Sequence, residues 1–420
     1  MFEIKRTIFG SLKNHLEKQE ISLIVGPRQA GKTTIMLLLK DFLEKKGKKT
    51  LFLNLDSEND RRFFSSQQAL LSRLELEFGR EKGVVFIDEI QRKEDAGLFL
   101  KGIYDSRIPQ KLVVSGSGSV ELKEKIHESL AGRKLFFHLN TLSFEEFLDF
   151  KTGYKYEGKL VNFCSLEQEG LLAALFDEYL GFGGYPRVVL SETADEKAKI
   201  IDEIYSSYLI KDISFLLKVE KMDAIRELFR VLSSQIGQLI NYSELSSVVG
   251  ISQDTLKNYI YYGEKTFVIE RISPFYKNAR KEIVKSPSVY FTDIGLRNYC
   301  AGDFGRPGGS SLNAGFVFQN FVYVMLKGLF EHTNKRISFW RTKEKAEVDF
   351  VIDGAGGEIL PIEAKFARMS EPKVTKSLRS FIGRYAPNRA VIVNISLDAS
   401  IEIDGTKVLF IPYWRLLDFE

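Results

Sequence analysis

The eight residues Gly26-Pro27-Arg28-Gln29-Ala30-Gly31-Lys32-Thr33 have the spacing Gly-x-x-x-x-Gly-Lys-Thr. Glycines at the two ends let the backbone wrap an anion, so that successive N–H groups and a helix N-terminus face phosphate. Lys32 then reaches the β- and γ-phosphates of a nucleoside triphosphate, and Thr33 ligates Mg²⁺. With Thr34 these residues form the candidate nucleotide-binding set. A second constellation, Val84-Val-Phe-Ile-Asp-Glu-Ile-Gln91, is an apolar run ending in two carboxylates. Asp88 is the candidate to hold Mg²⁺ through water, and Glu89 the general base that polarises the attacking water. The chain has no Asn-Lys-x-Asp guanine reader, which favours ATP over GTP. A third run, Lys111–Ser117, ends in hydroxyl residues. Ser115, with Ser117 as the alternate, is the candidate polar sensor near the γ-phosphate; a plain strand-ending turn explains the same residues.

The carboxyl-terminal part holds a different chemistry. Glu347-Val-Asp349-Phe-Val-Ile is followed by a Gly-rich turn and then by Pro361-Ile-Glu363-Ala-Lys365. Asp349 and Glu363 would share a Mg²⁺ that orients phosphate and water, while Lys365 stabilises the charged transition state or the water-derived nucleophile. Glu363 and Lys365 are two apart on a strand and point to one face. A hairpin centred on Gly356 puts Asp349 opposite Glu363 on that face. A bulge in the turn would undo the arrangement.

These groups need elements to hold them. Ile21–Val25, Thr50–Leu55, Val84–Ile87 and Leu112–Ser115 are short apolar runs of the kind that form buried parallel strands, with helical patterns such as Thr33–Lys45 between them. Residues 1–150 therefore predict an α/β nucleotide domain. Residues 151–235 open with a polar, irregular stretch and continue with helical periodicity. In 236–300, Asn241–Gly250 and Ser252–Lys265 predict two capped helices joined by a Gly-containing turn, followed by strands of a wing. The stretch 301–313 is the best linker candidate. A separate α/β domain occupies 301–420, opening with a long helix, Ala314–Phe330.

Composition sets outer bounds. The 420 residues carry 60 Lys/Arg against 56 Asp/Glu, so a charge of +4 argues neither for nor against nucleic acid. Yet Lys257–Lys285 alone holds seven Lys/Arg and three acids, with aromatics such as Tyr259, Tyr261, Tyr262, Phe275 and Tyr276 interleaved. That segment could lay a helix in a DNA groove with Lys277–Lys285 on phosphates, or dock a protein. Two cysteines and four scattered histidines exclude a disulfide scaffold and a cysteine- or histidine-based metal module. With no secretory segment and no apolar run approaching a membrane span, a cytoplasmic protein without membrane contact is expected.

The phosphate loop, Ile-Asp-Glu-Ile-Gln91, Ser115-Gly-Ser117, Leu130-Ala-Gly-Arg133 and Leu142-Ser-Phe-Glu-Glu-Phe147 resemble the AAA-type archaeal and bacterial ATPases with a nuclease-like carboxyl-terminal domain. Gly183-Gly-Tyr-Pro186, Lys211-Asp-Ile213, Tyr290–Leu296 and Glu347–Phe350 extend the similarity over nearly the whole chain. The resemblance implies an α/β chain with a P-loop AAA+ domain, a helical lid, a winged helix and a restriction-endonuclease-like PD-(D/E)XK domain. It also implies homo-oligomeric assembly. Such ATPases set a cation against the γ-phosphate, often from a neighbouring subunit; Arg133 is the candidate, an exposed Arg paired with a surface acid the plainer reading, and Arg187 a second candidate. Family members often carry an acid in a Phe-Glu-Asn segment of the preceding helix. This chain has Phe318-Gln319-Asn320, so the site loses a negative charge and metal affinity, and Gln319 is expected to face the same pocket. The leading function is an Mg²⁺-dependent ATPase coupled to a DNA-associated winged-helix and nuclease-like module. The alternative is a non-catalytic ATP-dependent oligomeric switch that docks proteins through the same modules.

Overall fold

The computed structural model describes residues 4–117, 129–206, 222–276, 286–306, 313–331, 333–354 and 357–419. Lys211–Ile213, Lys277–Lys285, Gly356 and the core of the 301–313 stretch lie outside them, as does the side chain of Ser117. The chain divides into two compact units, one built on the chain up to Thr141 and the other on the chain from Leu142.

In the first unit five strands form a parallel sheet: β1 (Ile21–Gly26), β2 (Thr50–Asn54), β3 (Val84–Asp88), β4 (Lys111–Ser117) and β5 (Lys134–His138), in the order β2-β3-β4-β1-β5. Parallel strands require crossovers, and these cover both faces. Alternate residues of β1 divide between two cores: Leu23 and Val25 pack with Phe99, Leu100 and Ile103 of a helix at Ala96–Asp105, while Ile24 packs with Leu12, Ile35, Met36 and Leu39. Leu12 belongs to α1 (Ile8–His15), and the other three to α2 (Lys32–Lys45). The helix at Ala96–Asp105 is α3. Because β4 lies between β1 and β3, the carboxyl ends of all three strands meet along one edge. The first two end in the phosphate loop and the carboxylate pair.

In the second unit, α4 (Leu171–Phe182) and α5 (Met222–Ser234) precede α6 (Tyr242–Val249) and α7 (Gln253–Lys265). Asn241 caps α6, whose left-handed Gly250 ends it, and the Ser252 hydroxyl accepts from the Thr255 N–H at the start of α7. Two helices thus join at Gly250. An antiparallel pair, β6 (Ile269–Ile272) and β7 (Ser288–Phe291), follows, with Leu239 bridged to Ser288. Next, α8 (Ile294–Ala301) packs on α4 and α5: buried Arg297 donates to Ser233 O at 2.8 Å and Asn298 to Leu180 O at 2.7 Å. Gly305 N–H donates to Gly181 O at 3.0 Å, so the start of the expected linker is packed against α4.

The 17-residue helix α9 (Ala314–Phe330) leads into a six-stranded mixed sheet. Its strands are β8 (Arg336–Arg341), β9 (Glu347–Asp353), β10 (Ile359–Ala364), β11 (Arg389–Asn394), β12 (Ala399–Ile403) and β13 (Thr406–Pro412), in the order β12-β13-β11-β10-β9-β8. Between β10 and β11 runs α10 (Lys376–Tyr385), whose Leu378, Phe381 and Ile382 pack on Val351, Ile392 and Phe410. The β9–β10 register pairs Asp353 with Ile359 and Phe350 with Ile362, and its continuation sets Asp349 opposite Glu363. The irregularity of this meander falls between Ser338 and Trp340 on β8, leaving the β9–β10 ladder in step.

Candidate functional sites

At the end of β1, Gly26 is fixed by backbone proximity: a Cβ there would stand 2.0 Å from Leu139 O. Gln29 (φ 60°) and Gly31 (φ 97°) are left-handed on either side of Ala30, the alternation that turns successive N–H groups toward an anion. Gly31 precedes the first residue of α2 and supplies no side-chain cap, so that helix N-terminus keeps its donors for a ligand. Pro27 and Ala30 are buried, Arg28 and Gln29 half-buried, and Thr34 exposed. Lys32, 6 % exposed, donates to Gly26 O at 3.1 Å and Pro27 O at 2.8 Å, so its ammonium rests on the loop it would share with phosphate.

The motifs at 26–33 and 84–91 meet directly. Thr33 Oγ1 donates to Asp88 Oδ2 at 2.7 Å, and the Glu89 N–H donates to Asp88 Oδ1 at 3.1 Å. Thr33 and Asp88 thus form a hydroxyl–carboxylate pair suited to a hard divalent cation. Glu89 is left-handed (φ 57°), half-buried, and accepts from the Gln91 amide. Burial raises the Glu89 carboxyl above the ordinary range and the Asp88 charge adds to this, while Lys32 opposes them. Ser115 is fully buried and donates its hydroxyl to Asp88, so it holds that carboxylate in place.

Within the first unit, Arg133 lies away from the phosphate loop. Arg133 precedes β5 beside Ile21, at the strand edge opposite Gly26, about 16 Å away by strand rise. It donates to Asp105 at 2.8 Å and 3.4 Å. Arg187 is paired with Glu203 at 3.1 Å. Residue order along the chain concealed this, because a parallel strand starts at the edge where its predecessor began.

The second unit gathers Gln319, Asp349, Glu363 and Lys365 around a cavity of about 650 Å³, together with Glu347, Arg341 and Thr375. Asp349 accepts from the Gln319 amide at 3.2 Å and from the Ala364 N–H at 2.8 Å. Glu363, 2 % exposed, accepts from Thr375 Oγ1 at 2.6 Å; its other oxygen accepts no hydrogen bond and lies 3.4 Å from Lys365 Nζ. Burial raises the carboxyls of Glu363, Asp349 and Glu347, with Lys365 opposing and the neighbouring carboxylates adding in each case but Asp349. Lys365 is itself raised: burial lowers it, but Glu363 and Asp349 outweigh burial. Among the described residues no group of three or more metal-ligating side chains is assembled, so a metal here would rest on Asp349 and Glu363.

Several residues at these sites carry no sequence signal. Thr375 both caps α10, accepting from Leu378 N–H at 3.0 Å, and holds Glu363. Tyr290 on β7 accepts from Gln319 at 3.0 Å, and Gly237 leaves the space that amide occupies. Arg6 reaches the phosphate loop from outside the motif. Around the two-helix element, Tyr259 and Phe275 are buried and Arg271 is bound to Glu264 at 2.5 Å. The open face of α7 therefore presents Gln253, Asp254, Lys257 and Asn258.

Residues 18–148 match a family model described as an AAA domain. Residues 173–306 and 314–414 match models described as Domain of unknown function (DUF8612) and Domain of unknown function (DUF4143). The chain is 25 % identical to the uncharacterized protein Rv2008c of Mycobacterium tuberculosis, over 90 % of this chain and 76 % of the relative. It is equally identical to an uncharacterized protein of Haemophilus influenzae (94 % of each chain) and to the uncharacterized protein MJ1544 of Methanocaldococcus jannaschii (98 % and 91 %). A solved structure of a Thermotoga maritima RuvB variant aligns with 64 % of this chain and 88 % of its own at 16 % identity, with a TM-score of 0.29 that carries no structural argument. The family-model match and these relatives support an AAA-type ATPase family. Among the described residues no helix is long and apolar enough to cross a membrane.

Proposed function

We propose that the chain is an Mg²⁺-dependent ATPase whose nucleotide cycle serves a DNA-associated module in its second unit. The observation that carries the ATPase reading is the Thr33–Asp88 hydrogen bond at 2.7 Å, which joins motifs 55 residues apart at the open end of α2. Gly26–Gly31 backbone donors and Lys32 bind the phosphates. Thr33 and Asp88 hold Mg²⁺, which when bound offsets phosphate charge. Glu89 takes a proton from the attacking water, and its raised pKa makes it a better base than an ordinary glutamate once ionised. In a homo-oligomer Arg133 would act on a neighbouring copy, because its own loop is at the opposite ends of the strands.

The DNA-associated part rests on the α6–turn–α7 element with its β6–β7 pair, read as a winged helix, and on the Asp349–Glu363–Lys365 cavity, read as a PD-(D/E)XK site. There Asp349 and Glu363 hold a divalent cation and Lys365 faces a phosphodiester. Gln319 donates a hydrogen bond to Asp349 where a carboxylate would instead share the metal, which favours weak cation binding and a domain that binds more readily than it cleaves. One observation favours the alternative, a protein-docking switch: Arg271 is neutralised by Glu264, and Tyr259, Phe267 and Phe275 of that segment are buried. The test combines Mg²⁺-dependent ATP hydrolysis by the full chain with duplex-DNA binding measured against salt. Hydrolysis with DNA affinity that falls steeply with salt is expected. Hydrolysis with no salt-sensitive DNA binding would transfer the second unit to the docking reading.

A further inference from the structure

The phosphate loop is gripped by a residue outside every nucleotide motif. Arg6, half-buried just before α1, donates from Nη1 to Ala30 O at 2.9 Å. From Nη2 it donates to Asn140 O at 2.7 Å and, more weakly, to Thr141 O at 3.5 Å. Its Nη1 stands 4.0 Å from where a Cβ on Gly31 would be. One guanidinium thus spans the summit of the loop and the segment that leaves β5. A planar fork with several fixed donors suits two carbonyls on separate segments, and a single ammonium does not.

The position of the gripped carbonyl gives the contact its meaning. Ala30 sits between left-handed Gln29 and Gly31. A loop of this form presents N–H groups to an anion only while its carbonyls point outward. A peptide flip at Ala30 would turn an oxygen into the phosphate space. Gln29, a non-glycine residue held left-handed, adds about 1 kcal/mol or more of local strain that something must oppose. The other side of the fork is anchored, because Leu139 N–H is bonded to Val25 O at 2.8 Å. Arg6 itself is set by α1, whose Leu12 lies in the same core as Ile35, Met36 and Leu39 of α2.

We infer that Arg6 is a positioning residue for nucleotide binding, holding the Ala30 carbonyl outward so that the loop is preformed for the polyphosphate of an adenine nucleotide. The inference rests on the nucleotide reading of the loop. The three contacts to Ala30, Asn140 and Thr141 all go to backbone carbonyls, so through them Arg6 acts on the shape of the loop, and hence on phosphates shared by ADP and ATP and not on the γ-phosphate alone.

The experiment measures ADP and ATP affinity by titration of the full chain, alongside ATP turnover, for the wild type, Arg6→Ala and Arg6→Lys. Expected for Arg6→Ala is a loss of roughly tenfold in affinity, similar for ADP and ATP, with KM raised and kcat within about threefold of the wild type. Arg6→Lys should recover part of the affinity, since one carbonyl can still be bonded. Unchanged affinity in Arg6→Ala overturns the inference. So does a loss confined to ATP with a collapse of kcat, which would make Arg6 a direct γ-phosphate contact. If Arg6→Ala does not fold, Arg6→Lys carries the test, and wild-type affinity there is the overturning result. A wild type that binds neither nucleotide defeats the nucleotide reading itself and is a separate outcome.

Discussion

The two sites use the same residue types, lysine and paired carboxylates, and differ in how far the protein has already satisfied them. In the first unit Lys32 rests on loop carbonyls and Asp88 accepts from Thr33, Ser115 and the Glu89 backbone. In the second, one oxygen of buried Glu363 meets only the Lys365 ammonium at 3.4 Å, three carboxyls are pushed up by burial, and an amide fills the place expected of an acid. The Glu363 oxygen without a hydrogen bond is offset by the Lys365 ammonium at 3.4 Å, so this cavity balances its buried charge through an ion pair and not through a full set of hydrogen bonds. The proposed nucleotide site has its carboxylate held by three hydrogen bonds, while the second cavity relies on a buried lysine to offset its carboxylates.

The largest expected effect would break the first half of this contrast. Lys32→Ala should reduce ATP affinity by at least ~10²-fold, since it removes the lysine that rests on the loop where the phosphates would bind. Isothermal titration reads this, and retained affinity would mean the loop is not the phosphate site.

The next sharpens the second half. Gln319→Glu replaces the donor to Asp349 by a third carboxylate, so Mn²⁺ affinity of the full chain should rise by roughly tenfold or more, with a matching rise in thermal stability at saturating metal. Asp349→Asn in the same background should cancel the gain. If Gln319→Glu binds Mn²⁺ no better than the wild type, the cavity is not a diminished metal site.

A smaller effect follows from linkage. Glu89 is raised in the folded state, so between about pH 4.5 and its folded value the native protein holds more protons than the unfolded chain, and stability falls as pH rises. Glu89→Gln removes that penalty. It should melt a few degrees above the wild type at pH 7–8, at roughly 1.4 kcal/mol per pKa unit, and lose the advantage below about pH 4.5. An advantage independent of pH would contradict the burial account.

The smallest effect belongs to Arg133. Its pair with Asp105 is part-exposed, so Arg133→Ala should cost about 1 kcal/mol or less in stability. Turnover in dilute protein should be unchanged, because the residue is remote from its own loop. A loss confined to concentrated protein would identify a contribution to a neighbouring copy.

What the sequence revealed follows the same division. Contiguous motifs were readable because one short segment carries both the chemistry and the strand-loop-helix geometry, as at Gly26–Thr33 and Val84–Gln91. Strand parity also transmitted far enough to set Asp349 across from Glu363, since the β9–β10 ladder runs without a bulge. Interactions through tertiary approach left no local mark: Arg6 on Ala30, Thr375 on Glu363, and Tyr290 orienting Gln319 each join elements distant in the chain. Arg133 shows the same from the other side, because the sheet order that sends it to the far edge is not written in residues 130–133. Gly26 looked like a phosphate glycine, yet its lack of a side chain is demanded by Leu139 O.

The central claim is that the first unit hydrolyses ATP with Glu89 as base at a site preformed to bind it. Parallel measurement of ATP affinity and single-turnover hydrolysis in the wild type and Glu89→Gln tests this most directly. Affinity kept within a few fold and hydrolysis slowed by at least ~10²-fold is the predicted result. Equal hydrolysis rates in the two proteins would contradict it.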